Sequence, residues 1–400
     1  MPSAPTYLDC AATTPIDPQV CDEVVKHLTA EFGNAGSRTH DLGLRARRAV
    51  EKAREQVAAV VGAGRGDVFF TSGATEANNL AILGLAEHGR RTGKKHIVST
   101  QIEHKAVLEP LDALSQQGFV VTLVPPERGG WVSPRALAAA LRDDTLLVSV
   151  MHVNNETGVV QPIEEIAALL ADHPAFFHVD AAQGFGKLIE PLRNRRIDLI
   201  SLSGHKIHAP KGIGALISRR GRRRDRRRPP LTPLMYGGGQ ERGLRPGTLP
   251  VPLIVGLGKA CEIAVAEASE RNRYCQGFKK RLMDALLPLR PEWNGDPDRT
   301  VPQILSLCFP GLDSETAMEK LSPLVAISNG SACTSQSETC SHVLAAMRCS
   351  RDQLDGVLRF SWCHMTEEPD WSRLVAVIAS QRRGAADAPF LEPDSHPHVN

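Results

Sequence analysis

Short apolar runs recur along the chain between Val68 and Ile217. They include Val68-Phe69-Phe70, His96-Ile97-Val98, Val120-Val121-Thr122-Leu123, Leu146-Leu147-Val148-Ser149-Val150, Phe176-Phe177-His178-Val179 and Leu199-Ile200-Ser201. They are short and mostly β-branched or aromatic, the pattern of strands buried on both faces. Amphipathic stretches such as Ile163 to Leu170 separate them. Strand–helix alternation of this kind predicts an α/β fold with a mostly parallel sheet covered by helices. Upstream, Ala46, Ala49, Val50, Ala53, Val57, Val60 and Val61 repeat at helical spacing, and Gly62 stops that helix. Downstream, the Pro-rich stretch Thr248 to Pro252 introduces one long helical pattern, roughly Leu253 to Leu287.

Length turns this pattern into a domain plan. The 400 residues suit two domains. A large domain is expected over 16–260. A smaller one is expected from 1–15 with 261–383, and residues 384–400, aperiodic and rich in Pro and Asp, read as a disordered tail.

Composition removes several function classes. Hydrophobic residues are 42% and charged residues 23%, ordinary for a soluble globular protein. No stretch approaches the roughly 20 apolar residues that span a bilayer. Met1 to Pro5 carries neither the basic nor the apolar region of a secretion signal, so a cytoplasmic protein is expected. The net charge of +2 is uninformative about partners. Nine scattered cysteines, an odd number, predict reduced thiols rather than a disulfide framework. Cys333, Cys340, Cys349 and Cys363 lack the paired two-to-four spacing of a zinc site, so no metal is assigned. The run Arg219 to Arg228, with eight arginines, reads as a solvated surface loop, the alternative being a docking patch for an acidic partner or nucleic acid. No aromatic residue interleaves it, so a stacking platform for single strands is not indicated.

Candidate chemistry sits at strand ends. Thr71-Ser72-Gly73-Ala74-Thr75-Glu76-Ala77-Asn78-Asn79 follows one expected strand and opens a helix. The free N–H groups of Ala74 and Thr75 there favour an anion such as a phosphate, although a plain helix cap gives the same pattern. It is neither a Walker loop nor a dinucleotide fingerprint. Asp180, in His178-Val179-Asp180-Ala181-Ala182-Gln183, ends another strand, where a carboxylate can hold a cationic ring nitrogen. Lys206, in Ser201-Leu202-Ser203-Gly204-His205-Lys206, ends a third. A lysine beside a phosphate site and an aspartate is the set that a Schiff-base cofactor needs.

Ser203-Gly204-His205-Lys206-Ile207 with Lys211-Gly212-Ile213-Gly214-Ala215-Leu216 resembles the cofactor-lysine segment of cysteine desulfurases of the NifS/IscS kind. These are class V members of the aminotransferase-fold enzymes that use pyridoxal 5'-phosphate. The resemblance runs from Tyr7-Leu8-Asp9 to about Pro369. It includes Gly33-Asn34-Ala35-Gly36-Ser37, Glu103-His104-Lys105-Ala106-Val107, Asn154-Asn155-Glu156-Thr157-Gly158, Gly237-Gly238-Gly239-Gln240-Glu241-Arg242 and Gly330-Ser331-Ala332-Cys333-Thr334-Ser335.

The resemblance implies the type I fold of these enzymes and a role for each matching residue. Lys206 would hold the cofactor and shuttle the substrate's Cα proton. Asp180 would face the ring nitrogen, Gln183 would donate to the ring oxygen, and His104 would stack on the ring and assist proton transfer. Ala74, Thr75, Ser203 and His205 would cradle the phosphate. Thr248 would reach it from a neighbouring subunit, which implies a homodimer. Asn34, Asn155 and Arg359 would bind the substrate L-cysteine, and the Arg fork suits its carboxylate.

Cys333 lies among small polar residues, the composition of a mobile loop, whereas Cys261 and Cys308 read as core fillers. The resemblance makes Cys333 the nucleophile that takes sulfur as a persulfide and passes it to an acceptor protein. Iron–sulfur assembly, tRNA thiolation and DNA phosphorothioation are the pathways implied. The Arg219–Arg228 run and Trp362-Cys363-His364 depart from housekeeping members and look more like the desulfurase of the DNA phosphorothioation system. A selenocysteine lyase, a transaminase on the same scaffold, or an inactive or nucleic-acid-binding scaffold would be the alternatives. Direct nucleic-acid binding and a membrane association are not expected.

Overall fold

The computed structural model describes residues 4–220, 228–330 and 341–382. The tail expected beyond 383, and both Cys333 and Cys340, lie outside the described residues.

Each of the six apolar runs forms a strand of one seven-stranded sheet. In sheet order the strands are Val68–Thr71, Gly214–Ser218, Leu199–Ser203, Phe176–Asp180, Thr145–Met151, His96–Thr100 and Val120–Val124. Only Gly214–Ser218 runs against its neighbours; the other pairings are parallel. The period-two alternation of side chains divides the apolar residues between two layers. Val98, Val148, Val150, Phe177, Val179, Ile200 and Leu202 pack with the helices Asp41–Val60 and Val251–Ala266. Ile97, Leu147, Leu199 and Leu216 pack with Ala74–Leu83 and Lys105–Ser115. Phe177 is fully buried, so its truncation to Ala would cost about 3–5 kcal/mol. Val120–Val124 departs from the expected burial on both faces: it is the edge strand, and Val120 and Leu123 are exposed.

The helical pattern after Pro252 is two helices rather than one. Val251–Ala266 and Ala268–Leu286 are separated at Glu267, whose backbone leaves the helical region. The first helix packs against the large sheet. The second turns Cys275, Phe278, Leu282 and Leu286 toward a separate core. A change of packing partner leaves the helical period unbroken, so the sequence pattern does not reveal it. The second core covers an antiparallel sheet, ordered Val357–Ser361, Ile304–Cys308 and Glu292–Trp293, together with the helices Ser314–Leu321 and Trp371–Ser380. Leu8 belongs to this core, and its carbonyl accepts from the Ser361 N–H at 2.8 Å. Asp9 bridges to Ser361 of the small sheet, and the chain then reaches the Lys206 segment of the large unit, where the Thr14 N–H donates to the His205 carbonyl at 2.9 Å. Among the described residues, no helix is long and apolar enough to cross a membrane.

The arginine run is not simply a solvated loop. Arg219 is buried, and its guanidinium donates to the carbonyls of Val61 and Leu192, both at 2.7 Å. It thereby satisfies a carbonyl at the end of the helix Asp41–Val60, which a helix leaves unpaired. Arg228 donates to the Gly66 carbonyl at 2.6 Å and pairs with Asp67 at 3.0 Å. Residues 221–227 between them lie outside the described residues.

Candidate active site

Lys206 follows the buried strand Leu199–Ser203 through a single tight turn, Gly204–Lys206. Glycine is required at 204 because a Cβ there would meet Ile213 at 2.9–3.0 Å. The Lys206 ammonium donates to the Ala12 carbonyl at 2.8 Å and also to that of Ala11. One strand over, Asp180 pairs in register with Ser201. Its carboxylate accepts from the Asn78 side-chain amide at 2.8 Å and from the Ala182 N–H at 3.0 Å. Parallel strands bring both groups to one edge of the sheet, the usual ligand crevice of such folds.

A cavity of about 560 Å³ opens at this edge. Ala74, Thr75, His104, Asn155, Asp180, Gln183, Ser203, His205, Lys206 and Arg359 all line it. The helix Ala74–Leu83 presents its N-terminus there, with Gly73 as the preceding residue. A Cβ on Gly73 would sit 3.6 Å from the Ser203 hydroxyl and would occupy the cradle between the two segments. Gly214 allows the same approach from behind, since a Cβ there would fall 2.7 Å from the Gly73 Cα. Gly73, Ala74 and Ser203 thus leave room for a phosphate at a helix N-terminus.

His104 caps the helix Lys105–Ser115. Its Nδ1 accepts from the Ala106 N–H at 3.0 Å, which leaves the hydrogen on Nε2. Burial, followed by the nearby Lys206 charge, outweighs Asp180 and keeps this imidazole below its ordinary pKa. It is therefore a neutral, flat ring facing the cavity. His205 is held lower still, at about 4, by burial and by Lys206 and Lys211. A neutral His205 can take part in a phosphate site as a hydrogen-bonding group. In its present tautomer geometry, Nδ1 lies 3.2 Å from the Thr13 hydroxyl.

Gln183 also lines the cavity. Its amide NH2 already donates to the Ala11 carbonyl at 2.8 Å, and its buried oxygen has no partner. The same NH2 carries a second N–H, which remains available to donate to a ligand oxygen. The unpaired oxygen marks a place where a ligand's polar group is needed.

The substrate side is put together from distant segments. Arg359 lies on the small-sheet strand Val357–Ser361, yet its guanidinium reaches the cavity. It donates to the Asn155 carbonyl at 2.9 Å and to Asp9 at 2.6 Å, while its buried Nε has no partner. Asn34 and Thr248 are not brought to this cavity. They line a second one of about 360 Å³, with Arg38, Gln240 and Arg242.

Three supporting residues escape sequence reasoning. Asn78 orients Asp180, although it lies in the segment singled out for its helix start. Glu103 is fully buried. One of its oxygens accepts from the Met151 N–H at 2.9 Å and the Thr100 hydroxyl at 2.8 Å, while the other has no partner. Burial pushes this carboxyl up to about 8 against those two donors, so it is protonated at neutral pH. Glu156 ties the segment bearing Cys333 at both ends: the Ser341 hydroxyl donates to it, and Gly330 lies against it. No local pattern marks these three, because each works through a residue far away in sequence.

A phosphate cradle, a facing carboxylate, a flat neutral ring and a lysine in one cavity fit pyridoxal phosphate. Residues 6–374 match the family described as aminotransferase class-V. A cysteine desulfurase IscS from Vibrio cholerae is 44% identical over 377 residues, covering 94% of this chain and 92% of the relative. The crystal structure of DndA from Streptomyces lividans superposes with a TM-score of 0.79 at 50% identity, covering 90% of this chain and 99% of that one. A structure of SspA in complex with cysteine gives a TM-score of 0.77 at 36% identity, covering 90% and 100%. These likenesses extend over nearly the whole chain and include every strand that builds the cavity, so the chain belongs to the class V aminotransferase family and, within it, to the pyridoxal-phosphate-dependent cysteine desulfurases.

Proposed function

We propose that the chain converts L-cysteine to L-alanine, with Lys206 holding the cofactor and moving the substrate's Cα proton, and with Cys333 receiving the sulfur. When bound, pyridoxal phosphate supplies an electron sink for the substrate's Cα. The observation that carries the proposal is the convergence of Lys206, Asp180 and Arg359 on one cavity, the first two from strand ends and the third from the small sheet. Arg359 and Asn155 would hold the substrate carboxylate, and the unpaired Nε of Arg359 supports this role. His104 would cover the cofactor ring as a neutral imidazole. The Cys333 thiolate would attack the substrate sulfur. An S–S bond forms, the Cβ–S bond breaks, and Cβ takes the electron pair and then a proton. The products are L-alanine and a Cys333 persulfide, and an acceptor protein then takes the sulfur.

Chain reach supports Cys333. Gly330, three residues before it, lies against Glu156 beside the cavity-lining Asn155, and three residues span at most about 11 Å. Asn34 and Thr248 would serve the equivalent cavity of a second copy in a homodimer, since they do not line this one. The two apolar cores support a large unit over 16–260 and a small one from 1–15 with 261–383, although the helix Val251–Ala266 packs wholly with the large unit. For the acceptor, we favour DNA phosphorothioation over general cluster assembly. The 50% identity to DndA against 44% to IscS supports a place outside the IscS branch.

The experiment is spectroscopic. Purified protein should be yellow from its bound cofactor. Lys206→Ala should lose the lysine-linked absorption band and lower alanine formation by at least about 10³-fold. A Lys206→Ala protein with the unaltered band and rate would overturn the assignment.

A further inference from the structure

His208, Cys363 and His364 form a second chemical cluster, and none of the three lines the cofactor cavity. One potential ligand atom from each lies within 4.8 Å of those of the other two. The residues come from two separate parts of the chain. His208 follows Lys206 by two residues. Cys363 and His364 follow the strand Val357–Ser361, held there by Trp362, which is buried against Phe278 with ring centres 4.9 Å apart. The three residues line a separate cavity of about 40 Å³, large enough for an ion with a water.

From this geometry we propose a zinc site, with His208, Cys363 and His364 as its three protein ligands and water as the fourth. Two imidazoles and a thiolate, with no carboxylate, are a zinc set and not a magnesium or calcium set. Zinc–sulfur and zinc–nitrogen distances of about 2.3 and 2.1 Å put tetrahedral ligands about 3.5 Å apart. The present separations, up to 4.8 Å, leave the side chains about 1 Å to draw together around the ion. His208 is already oriented for the task. Its Nδ1 lies 3.0 Å from the Pro15 carbonyl, and donation there leaves the Nε2 lone pair for the metal. Its backbone φ of +68° is uncommon outside glycine, and is held by donation of its N–H to the Thr14 hydroxyl at 2.9 Å.

Two cationic side chains line the cavity and set what an ion would meet there. Arg271 lines the cavity, but its charge is engaged by Asp17 at 3.0 Å and Glu267 at 2.9 Å. Lys187 also lines the cavity and would compete with the metal for the thiolate. Cys10 hydrogen-bonds Cys363, and the Thr366 hydroxyl donates to the same sulfur at 3.6 Å. Cys363 would bind as the thiolate through a Zn–S bond, any proton still on its sulfur passing to solvent. The ion would tie the segment bearing Lys206 to the strand bearing Arg359, and so fix the two halves of the active site relative to each other.

The test is metal content of the cofactor-loaded full chain, stripped with chelator under a thiol-free reductant and titrated with Zn²⁺. About one tightly bound zinc per chain is expected. Cys363→Ser and the partly exposed His364→Gln should each weaken binding by at least about tenfold, while Cys333→Ala should leave it unchanged. Lys187→Met should tighten it. Absence of tight zinc from the folded, yellow wild-type protein would overturn the site. So would zinc that survives Cys363→Ser and is lost in Cys333→Ala.

Discussion

Asp180 is the last residue of its strand and Lys206 follows the neighbouring strand by one tight turn, so the two are brought together by the pairing of adjacent strands in one sheet. Arg359 reaches the same cavity from another sheet, and it is held by Asp9 and Asn155 from two further segments. Asn34 and Thr248 do not reach it within one chain. The cofactor side is thus set by secondary structure, and the substrate side by how separate units are held together. Errors on the first side should change the chemistry, and errors on the second should change binding and positioning.

Three substitutions sharpen that difference. Asp180→Asn is nearly isosteric and keeps an acceptor for Asn78. It removes the charge facing the cofactor ring, so turnover should fall by about 10²-fold or more while the cofactor stays bound. Steady-state kinetics with an absorbance spectrum checks both halves. Arg359→Lys keeps a charge but not the fork held by Asp9 and Asn155. KM for L-cysteine should rise about tenfold or more, with a smaller change in kcat. An equal fall in kcat with unchanged KM would mean that Arg359 acts on the chemistry and not on binding.

Glu103→Gln leaves both sides of the cavity's chemistry in place and concerns stability. The folded-state carboxyl is raised from its ordinary 4.5 to about 8 by burial. The folded protein therefore keeps a proton that the unfolded chain loses above pH 4.5. This stabilising contribution is full below 4.5 and is lost as the pH rises toward 8. Relative to Glu103→Gln, the wild type should lose up to about 1.4 kcal/mol per pH unit across that window. Urea unfolding of both proteins at several pH values measures it, and parallel pH profiles would mean that Glu103 is ionised in the fold.

The sequence was legible wherever chemistry is local. The strands, the helix start at Ala74 and the two residues Asp180 and Lys206 follow from period and strand-end position. The edge position of Val120–Val124 and the break at Glu267 do not, because each depends on which neighbour is packed where. Arg219 looked like surface charge since nothing local reveals that the Val61 and Leu192 carbonyls need a donor. Cysteine spacing argued against a metal, yet His208, Cys363 and His364 meet only through the crossing of two sheets. The roles of Asn34, Asn155, Arg359 and Cys333 rested on resemblance, which supplies contacts that local pattern cannot.

The most direct test of sulfur transfer is intact-protein mass spectrometry after a single addition of L-cysteine, without reductant, followed by peptide mapping. The expected result is a gain of one sulfur atom on Cys333 with an equal amount of L-alanine, and loss of both in Cys333→Ala. Alanine formed at the wild-type rate by Cys333→Ala, or sulfur found on a different cysteine, would contradict the account.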